Sequence, residues 1–235
     1  MDNNKKDKLA IFDMDGTIVH FSIDSTAARS DVIDFLKTKI NLPDGILDVK
    51  FTTTELVARS KEHLVRFNKE QPDWATIRDE IFRIVEVHEN RAAEISTPID
   101  GIIEVLEDLH RSGIMAAICT YNSTRNANMV LSRTGLARYF SLVVGRDLVP
   151  DKTKPNPAHG QYILDKLGIS NENACMTGDH PFDIDMAVAM GVKAIAITSI
   201  RHPASDFARF KDIAIVSDKE YHLLAPAIKS ALGVS

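Results

Sequence analysis

The stretch KLAIFDMDGT, residues 8–17, decides how the chain is read. Four apolar residues, Leu9 to Phe12, run into two acids, Asp13 and Asp15, with Gly16 and Thr17 behind them. A short apolar run closed by turn formers reads as a buried strand. Side chains two positions apart on a strand share a face, so the two carboxylates are expected on one side of the chain, repelling each other. Either both are solvated, or something bound there offsets the repulsion.

Beyond this strand the pattern changes twice. Residues 20–95 hold three helical patterns, at 24–40, 53–70 and 73–95, and no convincing strand. In the third, Ile77, Ile81, Ile84, Val85, Val87 and His88 make a helical stripe. Asp24 or Ser25, Thr53 or Thr54, and Asp73 are the expected N-caps. From about residue 98 onward, short apolar strands at 114–120, 140–145, 173–179, 192–199 and 212–217 alternate with helices at 100–113, 123–135, 156–168 and 181–191. A last helix at 219–232 contains Pro226, which is expected to kink it. Such alternation indicates a parallel sheet covered on both faces. The expected architecture is α/β: a Rossmann-like parallel core of residues 1–19 and 96–235, interrupted after its first strand by an all-α domain at 20–95.

The chain has 235 residues, 44% of them hydrophobic, enough for one large core or two modest ones. A net charge of −5 without a long basic run argues against nucleic acid or an anionic membrane as the main partner. The cluster from Lys5 to Lys8, broken by Asp7, reads as solvated. No stretch approaches the roughly 18 apolar residues that cross a bilayer, and the first residues lack the apolar segment of a signal peptide. A cytoplasmic protein is expected. Cys119 and Cys175 stand far apart in apolar runs and read as buried free thiols, without the spacing of a zinc site.

In open α/β sheets, ligands bind at the carboxyl ends of the strands. The polar residues just past those ends are Asp13 and Asp15, Thr120, and Gly178 with Asp179. Three carboxylates at one edge, with Asp183 nearby, repel one another, and a hard cation such as Mg²⁺ offsets that. Each acid alone reads equally well as a turn former or helix cap, Asp179 in particular because a helix follows it. Lys154, in DKTKPNP at 151–157, suits a phosphate, and Pro155 and Pro157 are expected to hold its loop extended. Lys152 reads as solvated. Thr120 offers a hydroxyl, and the backbone N–H groups after it, at Tyr121 and Asn122, face the same edge near a helix N-terminus, a favourable place for an anion.

In order and approximate spacing, DMDGT, the strand ending in Thr120, KPNP at 154–157 and GDHPFD at 178–183 resemble the four motifs of the haloacid dehalogenase superfamily. The resemblance covers nearly the whole core. A helical insert after the first motif is similar to the family's first cap type, as in phosphoglycolate-phosphatase-like members. The resemblance implies a phosphatase in which Asp13 is the nucleophile that forms an aspartyl phosphate. Asp15 would protonate the leaving oxygen and then activate water. Thr120 and Lys154, with Tyr121 and Asn122, would hold the phosphoryl oxygens. Mg²⁺ would be bound by Asp13, by Asp15 through its backbone carbonyl region, by Asp179 and by Asp183. The partner is then a small phosphorylated metabolite, and the protein a monomer or homodimer.

The second acid favours phosphotransfer over dehalogenation, and no lysine of the insert (Lys37, Lys39, Lys50, Lys61, Lys69) has the apolar setting of a phosphonatase. A β-phosphoglucomutase-like sugar phosphomutase shares the core residues and stays open, as does a binding or regulatory protein on the same scaffold. Arg59, His63 and Arg66 lie on one helix of the insert, either to read an anionic substrate or as an exposed mixed-charge face. Gly16 is expected to allow close backbone approach and Thr17 to cap the loop that follows. The chain departs from the family pattern at VHF, residues 19–21, and at His180, where serine is common.

Overall fold

Six strands form one parallel sheet in the order β3-β2-β1-β4-β5-β6. They are β1 (Lys8–Phe12), β2 (Ile114–Cys119), β3 (Phe140–Val144), β4 (Ala174–Gly178), β5 (Lys193–Thr198) and β6 (Ala214–Ser217). The computed structural model describes residues 7–40, 42, 45–67 and 73–234; Lys5, Lys6 and Lys69 lie outside them. Leu9 and Ile11 of β1, Ala117 and Cys119 of β2, and Met176 of β4 pack with Ile163, Leu164, Ile184 and Ala187 from two helices, α6 (Pro157–Leu167) and α7 (Pro181–Met190). The intervening Ala10, Phe12, Ile118 and Cys175 are buried as well. Strands buried on both faces read as continuous apolar runs, which is why β1 shows no alternation.

The order 3-2-1-4-5-6 reverses direction beside β1, and the crevice at that switch point lies at the carboxyl ends of β1 and β4. Phe12 pairs with Thr177, and the Asp13 N–H donates to the Thr177 carbonyl at 2.9 Å. The register therefore sets the residues after Phe12 beside those after Thr177. The two cysteines are buried and free, and burial pushes the Cys175 thiol up to about 12.

Contacts divide the chain into two units, one of Met1–Phe21 with Ser96–Ser235 and the other of Ser22–Ile95. The second unit contains α1 (Ser25–Lys39), α2 (Thr53–Phe67) and α3 (Trp74–Ile95), whose core includes Val32, Leu36, Leu56, Leu64, Ile77 and Ile81. Val87 leaves the expected stripe and is 49% exposed. At 100° per residue it points well away from Ile77, Ile81, Ile84 and His88, which cluster on one side of α3. His88 is buried and pairs with Asp31 at 2.8 Å within the same unit. Among the described residues, no helix is long and apolar enough to cross a membrane.

The helix ends meet one expectation and correct two, and a loop corrects a third. Asp24 caps α1, accepting from the Ala27 N–H at 2.9 Å. The cap of α2 is Thr52, one residue before the expected pair: Thr52 Oγ1 accepts from the Glu55 N–H, and Glu55 Oε2 accepts from the Thr52 N–H. That reciprocal box satisfies two terminal N–H groups at once. Pro226 does not kink the last helix, because α8 (Leu224–Leu232) starts just before it. Pro226 thus falls in the first turn, where a missing N–H breaks no helical bond. The Lys154 loop is turned rather than extended: the Lys154–Pro155 peptide is cis, and the Asn156 N–H closes on the Thr153 carbonyl at 2.9 Å.

Candidate active site

The chain leaves the strand at Phe12, so Asp13 and Asp15 do not project as strand neighbours. The Gly16 N–H donates to the Val19 carbonyl at 2.8 Å, and the N–H groups of Ile18 and Val19 both reach the Met14 carbonyl. This tight turn sends the two acids to different partners. Asp13 Oδ1 accepts from Lys154 Nζ at 2.6 Å, whereas Asp15 Oδ2 accepts from Asn122 Nδ2 at 2.9 Å. Burial is the main cause that raises Asp13, to about 6; Lys154 works against it and Asp183 with it. Among the like charges around Asp13, Asp183, distant in sequence, has the largest effect.

Lys154 is 1% exposed and bridges two carboxylates, its Nζ lying 2.6 Å from Asp13 Oδ1 and 2.6 Å from Asp183 Oδ1. Burial pulls the ammonium down, but the two acids together outweigh it and hold Lys154 well above its ordinary value. Its loop is fixed from several sides. The Tyr121 hydroxyl donates to the Lys154 carbonyl, His159 Nδ1 accepts from the Lys154 N–H at 3.3 Å, and Lys154 Nζ lies 5.2 Å from the Tyr121 ring centre. Arg146, itself buried, donates from Nη1 to the Tyr121 carbonyl at 2.7 Å.

Asp179 follows β4 but does not cap α7. That role falls to His180, whose Nδ1 accepts from the Phe182 N–H at 3.1 Å while its own N–H donates to Asp183 Oδ2 at 3.1 Å. The capping box holds Asp183 and spares Asp179. Burial first, then Asp13 and Asp183, push Asp179 up to about 8. Gly16 takes φ +83°, and a Cβ there would come within 2.3 Å of Asp179 Oδ2. Glycine is required at that point by both conformation and space. A Cβ on Gly178 would likewise strike Asp183 Oδ2 at 2.2 Å.

Asp13, Asp179 and Asp183 each offer an oxygen within 4.8 Å of the others. The Asp15 carboxylate is not part of that cluster. Hard oxygen donors held close at an energetic cost fit Mg²⁺, whose binding would relieve the repulsion that raises Asp179. Thr120 is buried at the end of β2, where its hydroxyl accepts from the Asn122 N–H at 3.2 Å. The side chains of Tyr121 and Asn122 are both turned to the protein, Asn122 Nδ2 also meeting Asn126 Oδ1 at 3.1 Å. Thr17 does not cap the loop: its hydroxyl is buried without a hydrogen-bond partner among the described residues, and its carbonyl accepts from Tyr221 at 2.8 Å.

The sequence reading missed Arg146, His159 and Arg201. Arg146 stands just past the end of β3, where the strand-end rule would have found it. His159 lies inside a helix, and Arg201 in a loop without a motif.

A doubly wound parallel sheet with a lysine-bridged carboxylate cluster at its switch point defines a class, α/β proteins with their site at the strand ends. The model of the haloacid dehalogenase-like hydrolases matches residues 10–197, and the chain belongs to that family. A phosphoglycolate phosphatase of Aliivibrio fischeri is 28% identical over 228 residues, spanning 93% of this chain and 95% of its own. One from Rhodospirillum rubrum is 28% identical over 224 residues, 90% of each chain. Among solved structures, a haloacid dehalogenase-like family protein of Streptococcus pneumoniae shares the fold with a TM-score of 0.61, at 19% identity over 94% of this chain and 98% of that one.

Proposed function

We propose that this hydrolase is a Mg²⁺-dependent phosphatase of a small phosphomonoester, of the phosphoglycolate kind, in the cytoplasm. The observation that carries the reading is the Asp13 carboxylate, buried at the switch point, held at 2.6 Å by Lys154 and set beside Asp179 and Asp183. The relatives named phosphoglycolate phosphatase support the substrate class.

Asp13 attacks phosphorus and forms an aspartyl phosphate as the alkoxide leaves. Lys154 orients the Asp13 carboxylate through Oδ1 and, with Thr120 and the backbone after it, meets the negative charge on the phosphoryl oxygens. Asp15, oriented by Asn122, gives its proton to the leaving oxygen and then takes one from the water that cleaves the acyl phosphate. Asp13, Asp179 and Asp183 would hold Mg²⁺, which would supply charge neutralisation between an anionic nucleophile and an anionic phosphate. The inserted helical domain sets access and specificity.

Hydrolysis of p-nitrophenyl phosphate with Mg²⁺ tests the reading, comparing the wild type with Asp13→Asn. Activity in the wild type that falls at least about 10³-fold in the variant is expected. Equal rates, or activity indifferent to Mg²⁺, would sink it.

A further inference from the structure

The two places where the sequence departs from its family pattern meet at one loop of the first unit. After β5, Ser199 closes a tight turn: its N–H donates to the His202 carbonyl at 2.9 Å, and its Oγ accepts from the N–H groups of Arg201 and His202 at 3.2 and 3.3 Å. The turn fixes the backbone that carries Arg201. The Arg201 Cζ then lies over the Phe21 ring, 3.4 Å from its centre, and Phe21 ends the VHF stretch. His202, next along, packs its ring edge-on against His180, the second departure, at 4.7 Å between centres, and is itself held by Asp206 at 3.1 Å.

Arg201 is ordered and yet unspent. Among the described residues no carboxylate, carbonyl or hydroxyl accepts from its guanidinium, and the side chain is exposed. A planar guanidinium preorganised on an aromatic face is suited to a two-pronged grip on a carboxylate. Stacking fixes its plane and leaves its edges to the solvent. Its position is on the ligand edge, since β5 runs parallel to β4 with Ala196 opposite Gly178, and Asp179 and His180 follow Gly178 directly. Its charge acts on both of these residues. His180 adds a second donor: because Nδ1 accepts from the Phe182 N–H, the neutral ring carries its proton on Nε2.

We propose that Arg201, with the Nε2–H of His180 beside it, is the subsite that recognises a carboxylate on the substrate, so that the chain selects phosphomonoesters of small hydroxy acids over those of neutral alcohols. The proposal rests on the phosphatase reading and assigns its specificity to a loop of the core, in addition to the helical insert.

The test compares wild type, Arg201→Gln and Arg201→Lys on 2-phosphoglycolate and on p-nitrophenyl phosphate. The ratio of kcat/KM for the first substrate to that for the second is expected to fall at least 10-fold in Arg201→Gln, chiefly through KM. Arg201→Lys keeps the charge but not the fork and is expected to recover only part of the ratio. A ratio within twofold of the wild type in Arg201→Gln overturns the subsite. A calorimetric arm decides it without turnover, using binding of 2-phosphoglycolate and of inorganic phosphate to Asp13→Asn protein with and without Arg201→Gln. A preference for 2-phosphoglycolate that disappears with Arg201→Gln supports the subsite. No preference before that change, or an unchanged one after it, overturns it. Absence of hydrolysis in the wild type would count against the phosphatase reading alone, because the binding comparison still stands.

Discussion

Lys154 Nζ and Asp13 Oδ1 lie 2.6 Å apart although 141 residues separate them in the chain, and Lys154 reaches Asp183 at the same distance. One buried cation thus holds two buried anions, and the three are stable only as a set. Lys154→Met is expected to cost about 3–5 kcal/mol, because it leaves two carboxylates without their counter-charge. The loss depends on pH in a defined direction. Without the lysine the Asp13 carboxyl rises further above its ordinary 3.8, and a carboxyl raised in the fold stabilises it at low pH and loses that contribution as pH rises. Urea unfolding should therefore show a larger deficit at pH 8 than at pH 5. A deficit of one size at both would mean that charge neutralisation is not what Lys154 does.

Asn122 is expected to control Asp15 rather than the phosphate. Its Nδ2 meets Asp15 Oδ2 at 2.9 Å and Asn126 Oδ1 at 3.1 Å, so the amide is locked while it aims the acid. Asn122→Ala should lower kcat about 10- to 100-fold with KM little changed, as expected when a proton-transfer group loses its orientation. Asn126→Ala should do the same more weakly. A rise in KM at constant kcat would instead place Asn122 in substrate binding.

How much of this was legible beforehand follows the range of each interaction. The sheet, its direction and its interruption at one point could be read because apolar runs and helix stops are local. The acids at the strand ends could be read because topology sends those ends to one edge. What could not be read was which acid faces which. Spacing alone made Asp13 and Asp15 a repelling pair, but the turn closed by Gly16 and Val19 gives them different partners, and Asp183, distant in sequence, stands close to Asp13. The helix cap shows the same limit. Asp179 looked like a cap by position, and only the His180–Asp183 box shows that it is spared for another role. Arg201 carried no local signal, since its partner Phe21 lies on the far side of the helical insert in sequence.

Mg²⁺ and protons are expected to compete at the carboxylate cluster. Asp13 is raised to about 6 and Asp179 to about 8, both mainly by burial, so the metal-free fold retains protons that the unfolded chain has lost. Its stability should fall as pH rises through that window. Mg²⁺ needs the ionised forms, so its apparent affinity should rise from pH 6 to pH 8, with protons released on binding. Thermal shift with and without Mg²⁺ at the two pH values measures both effects. Stabilisation by Mg²⁺ that is greater at pH 6 would contradict the assignment, and loss of the shift in Asp179→Asn would support it.

His159 offers a titration outside the carboxylate cluster. Its ring is fully buried, and Nδ1 accepts from the Lys154 N–H. Burial first, and the charge of Lys154 second, pull the ring down from 6.5 to about 3. Below pH 6.5 the unfolded chain takes up a proton that the folded chain refuses, so this residue lowers stability as pH falls, by at most about 1.4 kcal/mol per pH unit for one proton. The effect stops growing below the folded value, where both states are protonated. Other groups titrate in the same range, so wild type must be compared with His159→Gln at each pH from 7.5 to 4.5. The variant loses the Nδ1 acceptor and should start lower at pH 7.5, but its stability should fall less steeply, so that the gap narrows with acid. A gap that widens as pH falls would mean that the folded ring accepts the proton, and that the Lys154 loop tolerates a second cation against it.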